Sequence, residues 1–489
     1  MGLNRKAFEV AWRLAILSLP WQMRLFWDAN LAGWPWEQGR ISIYASWLPL
    51  LATIILGLFQ PKRPLPLALR RNVFWLIAAL GACTVVAAPS PATAAMQWWI
   101  QMMLLAAFCI TLLRTQVQIN KVASWLVISL VPHAILAIAQ FMTQTVWASK
   151  WLGMAAQSPA DLGVSVVQTS TSRFLRAYGG FPHPNILGGW MAVGLIISVW
   201  LLSLTSVGER ACPVFFTGSR IYIRGIEGMF TLALFYSFSR SAWLAAAVSL
   251  ALFVILNAGE GSAKLTNVVK GSVVAKRHVF SVLIPVLLFA TLAIIHHDLV
   301  FTRLDAGASR LERKSVVTRL QTLRDGVYLF KTAPLFGTGP NSELPALASL
   351  KKQWIEEDSI RITALGQLFP GHPDSWNADE YVRSRMAAIG PLEPPHMVWL
   401  LMLVNFGTVG ALFIFGFGLF LLRRILEKWR DLSPSNRSLL ISLVSCQLIL
   451  CSLDHYPWSL WSGQTLTAVT LYILFVLLSR SDSSGSLDV

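Results

Sequence analysis

The chain is a succession of apolar blocks, and these blocks restrict its fold more than any other feature. Short joints rich in Pro, Gly, Lys or Arg separate one block from the next. Each block has roughly 17–25 residues, the length that a helix needs to cross about 30 Å of bilayer hydrocarbon. Lipid cannot satisfy an open strand edge, so helices are the expected spanning form. The sequence therefore predicts an all-α polytopic membrane protein.

The blocks predict about twelve transmembrane helices. Composition agrees, since 55% of the 489 residues are hydrophobic and 13% are charged, whereas soluble domains have about a quarter charged residues. The predicted spans are residues 8–27, 42–60, 72–89, 96–113, 122–141, 184–206, 226–239, 241–257, 279–296, 397–422, 438–453 and 460–479.

The distribution of Lys and Arg predicts the orientation of these spans. Alternate joints are basic, as in 61–71 and 423–437, whereas the opposite set is nearly bare, as in 90–93 and 454–458. Cytoplasmic joints carry the excess of Lys and Arg in membrane proteins. Both termini are therefore predicted to be cytoplasmic. The basic residues are scattered through short joints, so the membrane topology explains the net charge of +16 and no nucleic-acid partner is predicted.

Two long outer segments shape the predicted domains. Residues 1–296 hold helices 1–9 with an outer loop at about 142–183, and 397–489 hold helices 10–12 and a short cytoplasmic tail. Between them, 297–396 form one large, partly helical extracytoplasmic loop. Within it, residues 309–334 place apolar side chains at three- and four-residue steps with Arg and Lys on the other faces, which predicts an amphipathic helix.

Two polar stretches near span ends are candidates for a binding site. Arg173, Arg176 and Asn185 flank an irregular Tyr-Gly-Gly and Pro-His-Pro sequence at the outer mouth of the sixth span. Irregular backbone at membrane depth is tolerated where it lines a cavity. The alternative is that these arginines only anchor the span at the headgroups. Arg240 lies between two apolar runs, where a charge is costly and a functional role is the default hypothesis.

A histidine on the outer threshold of a span is the candidate general base. His396, in EPPHMVWL, titrates near neutral pH and can accept a proton, although an interfacial or capping role is the alternative. Asp454 and His455 form a short outer turn between the last two spans. Asp454 either caps a helix or orients His396 or an arginine, and the sequence leaves both interpretations open.

Other patterns are weaker. The loop PLFGTGPN (334–341) either exposes backbone N–H groups to an anion or forms a tight packing turn, and it lacks the GK[ST] of a P-loop. Adjacent His296 and His297 project in different directions and have no spaced third ligand. The sequence therefore predicts neither a metal nor a cofactor.

These stretches together resemble the O-antigen ligase and polymerase superfamily of bacterial envelope glycosyltransferases, over about residues 173–463. The features that carry the resemblance are the Arg176 to Asn185 stretch, Ser239-Arg240, Arg319 with the following Pro-Leu-Phe-Gly-Thr-Gly, His396, and Asp454-His455-Tyr456. The chain departs from the usual pattern at Ser241 and Asn341, where glycine is common in the family.

The resemblance implies a metal-independent, inverting glycosyltransferase at the outer face of the bacterial inner membrane. Its donor would be a glycan on undecaprenyl diphosphate, with His396 as base and Arg176 and Arg240 on the diphosphate. Arg173 and Arg319 would assist, and Asn185, Asp454 and His455 would contact substrate. The acceptor stays open between lipid A-core, which would make the protein an O-antigen ligase, another lipid-linked glycan, which would make it a polysaccharide polymerase, and a protein hydroxyl.

A transporter of an anionic envelope precursor is the rival from another class. Twelve spans are a common transporter count, and intramembrane arginines can bind anionic cargo. That hypothesis predicts two similar halves, which the sequence does not display, and it gives the large outer loop no role. A structural envelope scaffold is a third hypothesis, which the costly position of Arg240 disfavours.

Overall fold

The computed structural model describes residues 2–204, 220–259, 268–305, 309–368 and 392–479. Parts of the predicted outer loop at 297–396 and the predicted tail at 480–489 lie outside these ranges. The helices are α1 (Gly2–Ser18), α2 (Trp47–Gly57), α3 (Leu67–Ala87), α4 (Ala92–Arg114), α5 (Ile119–Thr143), α6 (Pro184–Leu204), α7 (Arg220–Tyr236), α8 (Arg240–Gly259), α9 (Val268–Ile295), α10 (His297–Leu304), α11 (Arg310–Thr332), α12 (Glu343–Leu368), α13 (Val398–Lys428), α14 (Pro434–Leu453), α15 (Tyr456–Ser459) and α16 (Trp461–Ser479).

Three small antiparallel strand pairs accompany the helices, so the fold is mostly helical and not strictly all-α. They are β1 (Arg24–Trp27) with β4 (Ile41–Tyr44), β2 (Asn30–Leu31) with β3 (Trp34–Pro35), and β5 (Val166–Gln168) with β6 (Arg173–Leu175). All three pairs lie in joints between long helices.

The helices are those of a polytopic membrane protein. In the described ranges, eight are long and apolar enough to cross a bilayer: α3, α4, α5, α6, α8, α13, α14 and α16. A ninth span results if Val282–Ile295 and His297–Leu304, bent by 92°, count as one. The predicted number of twelve is not reached by this test, because α1, α2 and α7 have only 17, 11 and 17 residues.

The predicted C-terminal end of the first span and the predicted N-terminal end of the second span are wrong. Helix α1 stops at Ser18 and α2 starts at Trp47, and the β1–β4 hairpin occupies much of the sequence between them. The hairpin pairs Leu25 with Ile43 and Trp27 with Ile41, and all four side chains are exposed on one face. Hydropathy counts apolar residues without regard to their period, so this apolar strand face was indistinguishable from helix.

Helix α6 is the centre of the bundle. Its apolar window is fully buried, and it packs against α5, α7, α8 and α14. Glycines allow close approach there: a Cβ on Gly188 would lie 2.7 Å from the Cβ of Ala242, and one on Gly189 would lie 2.1 Å from the Tyr456 hydroxyl. Small residues of this kind let helices pack tightly in membranes. The N-terminal part of α6 is thereby fixed against the start of α8 and against α15.

The nearly uncharged joints meet on one side of the bundle. Ala177 N–H donates to the Tyr236 carbonyl at 2.9 Å, and the Trp98 indole N–H donates to the Trp458 carbonyl at 3.2 Å. These contacts tie the joint before α6 to the end of α7, and the start of α4 to the turn before α16. The pairing agrees with the alternation of basic and bare joints in the sequence.

The Gly-x-Gly loop after α11 fills a break in α13. Gly407 interrupts the helix with φ 64° and ψ −168°. Thr338 N–H and Gly339 N–H donate to the Val404 and Asn405 carbonyls at 2.8 and 2.9 Å, and Thr408 N–H donates to the Pro334 carbonyl at 2.8 Å. Because these loop N–H groups bond to a helix, the packing interpretation of the loop is favoured over an anion cradle.

Candidate functional site

His396 lies just before α13, at the rim of the side where the bare joints meet. Its ring is mostly buried, with Nε2 3.3 Å from Glu393 Oε2 and Nδ1 3.6 Å from Asp454 Oδ1. The second distance is that of an ion pair and is too long for a hydrogen bond. His396 therefore lies between two carboxylates.

Those carboxylates determine the charge of His396. Burial alone would lower the pKa of the imidazole, but the contacts with Asp454 and Glu393 raise it to about 9. The contact with His396 in turn lowers the pKa of Glu393. With a pKa of about 9, His396 is an imidazolium at neutral pH.

The Asp454 carboxylate is buried, and each of its two oxygens accepts a hydrogen bond. Its Oδ2 accepts from Asn185 Nδ2 at 2.8 Å, and its Oδ1 accepts from the His455 backbone N–H at 2.8 Å. Burial would raise the pKa of this carboxyl, but the contact with His396 holds it below its usual range. Asp454 is the C-cap residue of α14, and its carboxylate also faces His396 and Asn185, so the capping position and the position beside His396 coexist.

Asn185 extends this contact to an arginine. Its Oδ1 accepts from Arg176 Nη2 at 2.6 Å, while Arg176 Nε donates to the Ser237 carbonyl at 2.8 Å. The guanidinium is almost fully buried, and burial together with the charge of Arg303 lowers the Arg176 pKa. Four of the predicted residues thus form one continuous chain, His396–Asp454–Asn185–Arg176.

A second cluster of charges surrounds Arg240 at the start of α8. Arg240 Nη1 donates to the Arg303 carbonyl at 3.2 Å, and Nη2 lies 3.6 Å from Glu312 Oε2. Arg303 Nη1 binds both Glu312 carboxylate oxygens at 2.6 Å, and its Nε donates to the Phe238 carbonyl at 2.9 Å. The predicted Arg240 therefore stands beside a buried ion pair.

That ion pair, Arg303 with Glu312, was missed by the sequence analysis. One signal was present: Ser309 and Glu312 form the S-x-x-E pattern of a helix start, and the Ser309 hydroxyl does accept from the Glu312 N–H at 3.2 Å. Nothing in the sequence connects that glutamate to an arginine on the preceding helix. Tertiary packing alone brings the two charges together.

Arg319 and Arg173 have guanidinium N–H donors without a partner among the residues that the structure describes. Arg319 is half-buried on the face of α11 that also carries Glu312, and its side chain makes no hydrogen bond or ion pair within the described ranges. Burial is the largest cause of the lowered pKa values of Arg176 and His455, and the positive charge of Arg319 lowers them further. The buried Nε of Arg173, in β6, likewise has no partner among the residues that the structure describes.

Two further histidines complete the site. The His455 ring is 5.1 Å from that of His396 and contacts the Ser459 hydroxyl through Nδ1 at 2.6 Å. Burial and the charge of His396 lower its pKa to about 4, so at neutral pH the pair holds one proton. His183 was not predicted as a site residue. Its Nδ1 accepts from the Asn185 N–H at 3.1 Å, and burial and Arg176 lower its pKa to about 3.

The trio of His396, Asp454 and His455 brings ligand atoms within 4.8 Å of one another, a geometry that can hold a metal ion. The present bonding competes with a metal. Both Asp454 oxygens already accept N–H groups, and His396 carries a proton that a metal ligand must lose.

The site as a whole carries an excess of positive charge. Four arginines are close enough for their positive charges to repel one another, and the Glu312 carboxylate lies among them. They are Arg176, Arg240, Arg303 and Arg319. Partly buried arginines without enough counter-charge favour a polyanionic ligand, which they bind through charge-assisted hydrogen bonds. The arrangement is therefore suited to a phosphate-bearing substrate beside a histidine–carboxylate pair.

Comparison with known proteins agrees with this chemistry. Residues 228–415 match the family model described as O-antigen ligase, a region that includes Arg240, Arg319 and His396. No curated protein matches the chain. Residues 228–415 of this chain are therefore similar to the O-antigen ligase family.

Proposed function

We propose that this protein is an O-antigen ligase-like glycosyltransferase of the bacterial inner membrane. It moves a glycan from undecaprenyl diphosphate to an acceptor hydroxyl on the outer side. The observation that carries the proposal is the buried chain His396–Asp454–Asn185–Arg176, which couples a titratable base to a cluster of arginines. The family match supports ligase- or polymerase-type chemistry.

The reaction is a single displacement at the anomeric carbon. The acceptor oxygen forms a bond to that carbon as the bond to the diphosphate oxygen breaks, and the leaving diphosphate keeps the electron pair. The configuration is therefore inverted. His396 takes the proton of the acceptor hydroxyl, and Asp454 stabilises the resulting imidazolium and fixes the ring. The diphosphate is a good leaving group once cations stabilise its charge, so positioning and electrostatics supply the remainder.

The arginines divide into direct ligands and positioning residues. Arg240 and Arg319 retain donors for the diphosphate, and Arg173 offers a buried Nε from the β5–β6 hairpin. Arg176 was expected to bind the diphosphate directly, but its Nε and Nη2 already donate to Ser237 and Asn185. We therefore assign Arg176 to holding Asn185, and through it Asp454, in place.

The proposed side of the membrane follows from the basic joints. With those joints in the cytoplasm, His396 and the arginines face the outer compartment, as do residues 297–396. A lipid-linked donor then reaches the site from the bilayer while the acceptor approaches from the outer leaflet or the outer compartment. Lipid A-core, a second lipid-linked glycan and a protein hydroxyl would each use the same donor site, so a polysaccharide polymerase is the alternative within the family.

Donor binding tests the proposal and separates it from the transporter. The purified protein is incubated with a lipid-diphosphate-linked glycan and an acceptor lipid, without nucleotide, and donor affinity and transferred glycan are measured. Arg240→Ala and Arg319→Ala should both weaken donor binding and reduce transfer by ten-fold or more. Arg423→Ala, at an exposed ion pair on α13, should match wild type.

Each outcome of this experiment has a definite meaning. Donor that binds and is transferred by wild type, with loss in both site variants, supports the glycosyltransferase. Normal transfer by both site variants overturns the arginine assignment. A donor that binds and crosses the bilayer of a proteoliposome, with no glycan transferred to any acceptor, favours the transporter.

A further inference from the structure

Helix α10 turns away from the span that precedes it. It follows the apolar end of α9 and is bent by 92° relative to it, so it runs along the surface where the bare joints meet. Its Phe301 and Leu304 side chains are exposed, whereas Leu299 and Arg303 are buried against the bundle. The helix therefore lies flat with an apolar side outward.

Helix α11 contacts the ends of two spans on the same side of the bundle. Near its start, Glu312 contacts Arg240 at the beginning of α8. Fourteen residues later, a Cβ on Gly326 would lie 2.7 Å from Pro395 Cγ and 2.9 Å from Leu400 Cδ2, at the beginning of α13. At about 1.5 Å per residue these contacts are about 21 Å apart. Since both are span ends on one side of the bundle, α11 lies across those ends.

The outward face of α11 combines aliphatic and basic side chains. Val317, Leu320 and Val327 are 60%, 63% and 43% exposed. The apolar stripe seen in the sequence thus points partly outward, while the buried face holds Glu312, Thr322, Gly326 and Leu329. The exposed basic residues of the helix are Arg310, Arg313, Lys314, Arg324 and Lys331.

The acidic residues of α11 do not offset this charge. Glu312 is buried against Arg303, and Asp325 pairs with Lys351 at 3.0 Å. The exposed face is therefore apolar and cationic at the level of the span ends. A helix of this composition, parallel to the membrane, is typical of one that lies in the headgroup region, with aliphatic side chains in the acyl boundary and Lys and Arg on lipid phosphates.

We propose that α10 and α11 form an interfacial collar that binds the anionic phospholipid headgroups of the outer leaflet. Charge complementarity identifies anionic phospholipid as the ligand of this surface. The exposed aliphatic side chains are suited to the acyl region of a bilayer, and the cations around them are suited to lipid phosphates. The inner face of the same helix carries Glu312 and Arg319. Contact with lipid on the outer face therefore fixes the position of groups that line the candidate site.

The test measures depth in the bilayer and not glycan transfer, so it is independent of the proposed function. A Leu320→Cys variant, in a background with the five native cysteines replaced, is labelled with an environment-sensitive fluorophore and placed in nanodiscs. A Lys352→Cys variant on α12, where the side chain is 60% exposed, is the water-facing control. Fluorescence quenching by spin-labelled lipid is compared in phosphatidylcholine and in phosphatidylcholine with phosphatidylglycerol.

We expect lipid quenching at position 320, increased by phosphatidylglycerol, and none at position 352. Adding Arg313→Glu, Lys314→Glu and Arg324→Glu should abolish the increase, whereas Arg313→Lys, Lys314→Arg and Arg324→Lys should keep it. Both sets are compared by size exclusion and melting temperature, so that misfolding is recognised. Absence of lipid quenching at position 320 overturns the collar, and protection there from aqueous quenchers alone would mean that a protein covers the face. Equal quenching in the two lipid mixtures overturns the anionic headgroup assignment.

Discussion

Asn185 Nδ2 donates to Asp454 Oδ2 at 2.8 Å, joining the first turn of α6 to the end of α14 across 269 positions of sequence. Both side chains are buried, where a hydrogen bond to a charged group is stronger than in water. The same carboxylate presents Oδ1 toward His396. The orientation of the proposed base therefore depends on a residue of the central helix.

Replacing Asn185 tests that dependence. Asn185→Ala removes the donor to Asp454 and the acceptor of Arg176 Nη2, and breaking a buried charged hydrogen bond of this kind costs about 2 kcal/mol. We expect a lower melting temperature in detergent and a loss of transfer of ten-fold or more. The control is Asn72→Ala, whose amide donates to the Ala68 carbonyl within its own helix. Behaviour identical to that control would contradict the proposed relay.

The pH dependence of transfer follows from the charge of His396. A general base works in its neutral form, and with a pKa of about 9 only roughly one His396 in a hundred is neutral at pH 7. The rate should therefore rise with pH until about pH 9. A rate that is already constant above pH 6 would point to a different base, for example the neutral His455.

Glu393 provides a second test of the same point. The contact with Glu393 raises the pKa of His396, so Glu393→Gln should lower that pKa and move the rising limb to lower pH, by about one unit. At pH 7 the variant should therefore be faster than wild type. The measurement is a full pH–rate profile of both proteins, and a profile unchanged by the substitution would contradict the coupling.

The glycines at the break in α13 should be intolerant of substitution. Gly337 and Gly407 have φ values of 74° and 64°, and an added Cβ would lie 2.5 Å and 2.3 Å from the backbone of the facing segment. Gly337→Ala and Gly407→Ala should each destabilise the protein by at least about 2 kcal/mol. Gly416→Ala, in open space on the same helix, should be neutral or stabilising. Melting temperatures in detergent check this contrast.

Transfer should not require a divalent metal. His396, Asp454 and His455 are close enough to bind one, but the oxygens of Asp454 are bonded and His396 is protonated. We expect a chelator to change the rate by less than two-fold. Loss of activity that an added divalent cation restores would reassign these three residues as metal ligands.

Much of the helical fold was predictable because its spans are long and apolar. The helix expected at 309–334 forms as Arg310–Thr332, since Ser309 and Glu312 mark its start and Pro334 follows its end. The β1–β4 hairpin was not predictable, because its exposed apolar face has the hydropathy of a membrane span.

The candidate site was predictable as a set of residue types but not as a set of contacts. His396 stood out as a titratable residue at the outer start of a span. Arg176 and Asn185 stood out because irregular backbone at membrane depth is tolerated where it lines a cavity, and Asp454 because it lies in a short outer turn. Their mutual bonds connect distant parts of the chain, and so does the ion pair of Arg303 with Glu312. Such pairings depend on tertiary packing, which a single sequence does not reveal.

Transfer by His396→Ala, measured at saturating donor, tests the central claim most directly. His297→Ala, at an exposed histidine, is the matched control. We predict that the His396 variant binds the lipid-diphosphate donor as wild type does and transfers its glycan at least about 100-fold more slowly, because general-base catalysis contributes that much or more. Transfer within two-fold of wild type, with equal donor bound, would contradict the assignment of His396 as the base.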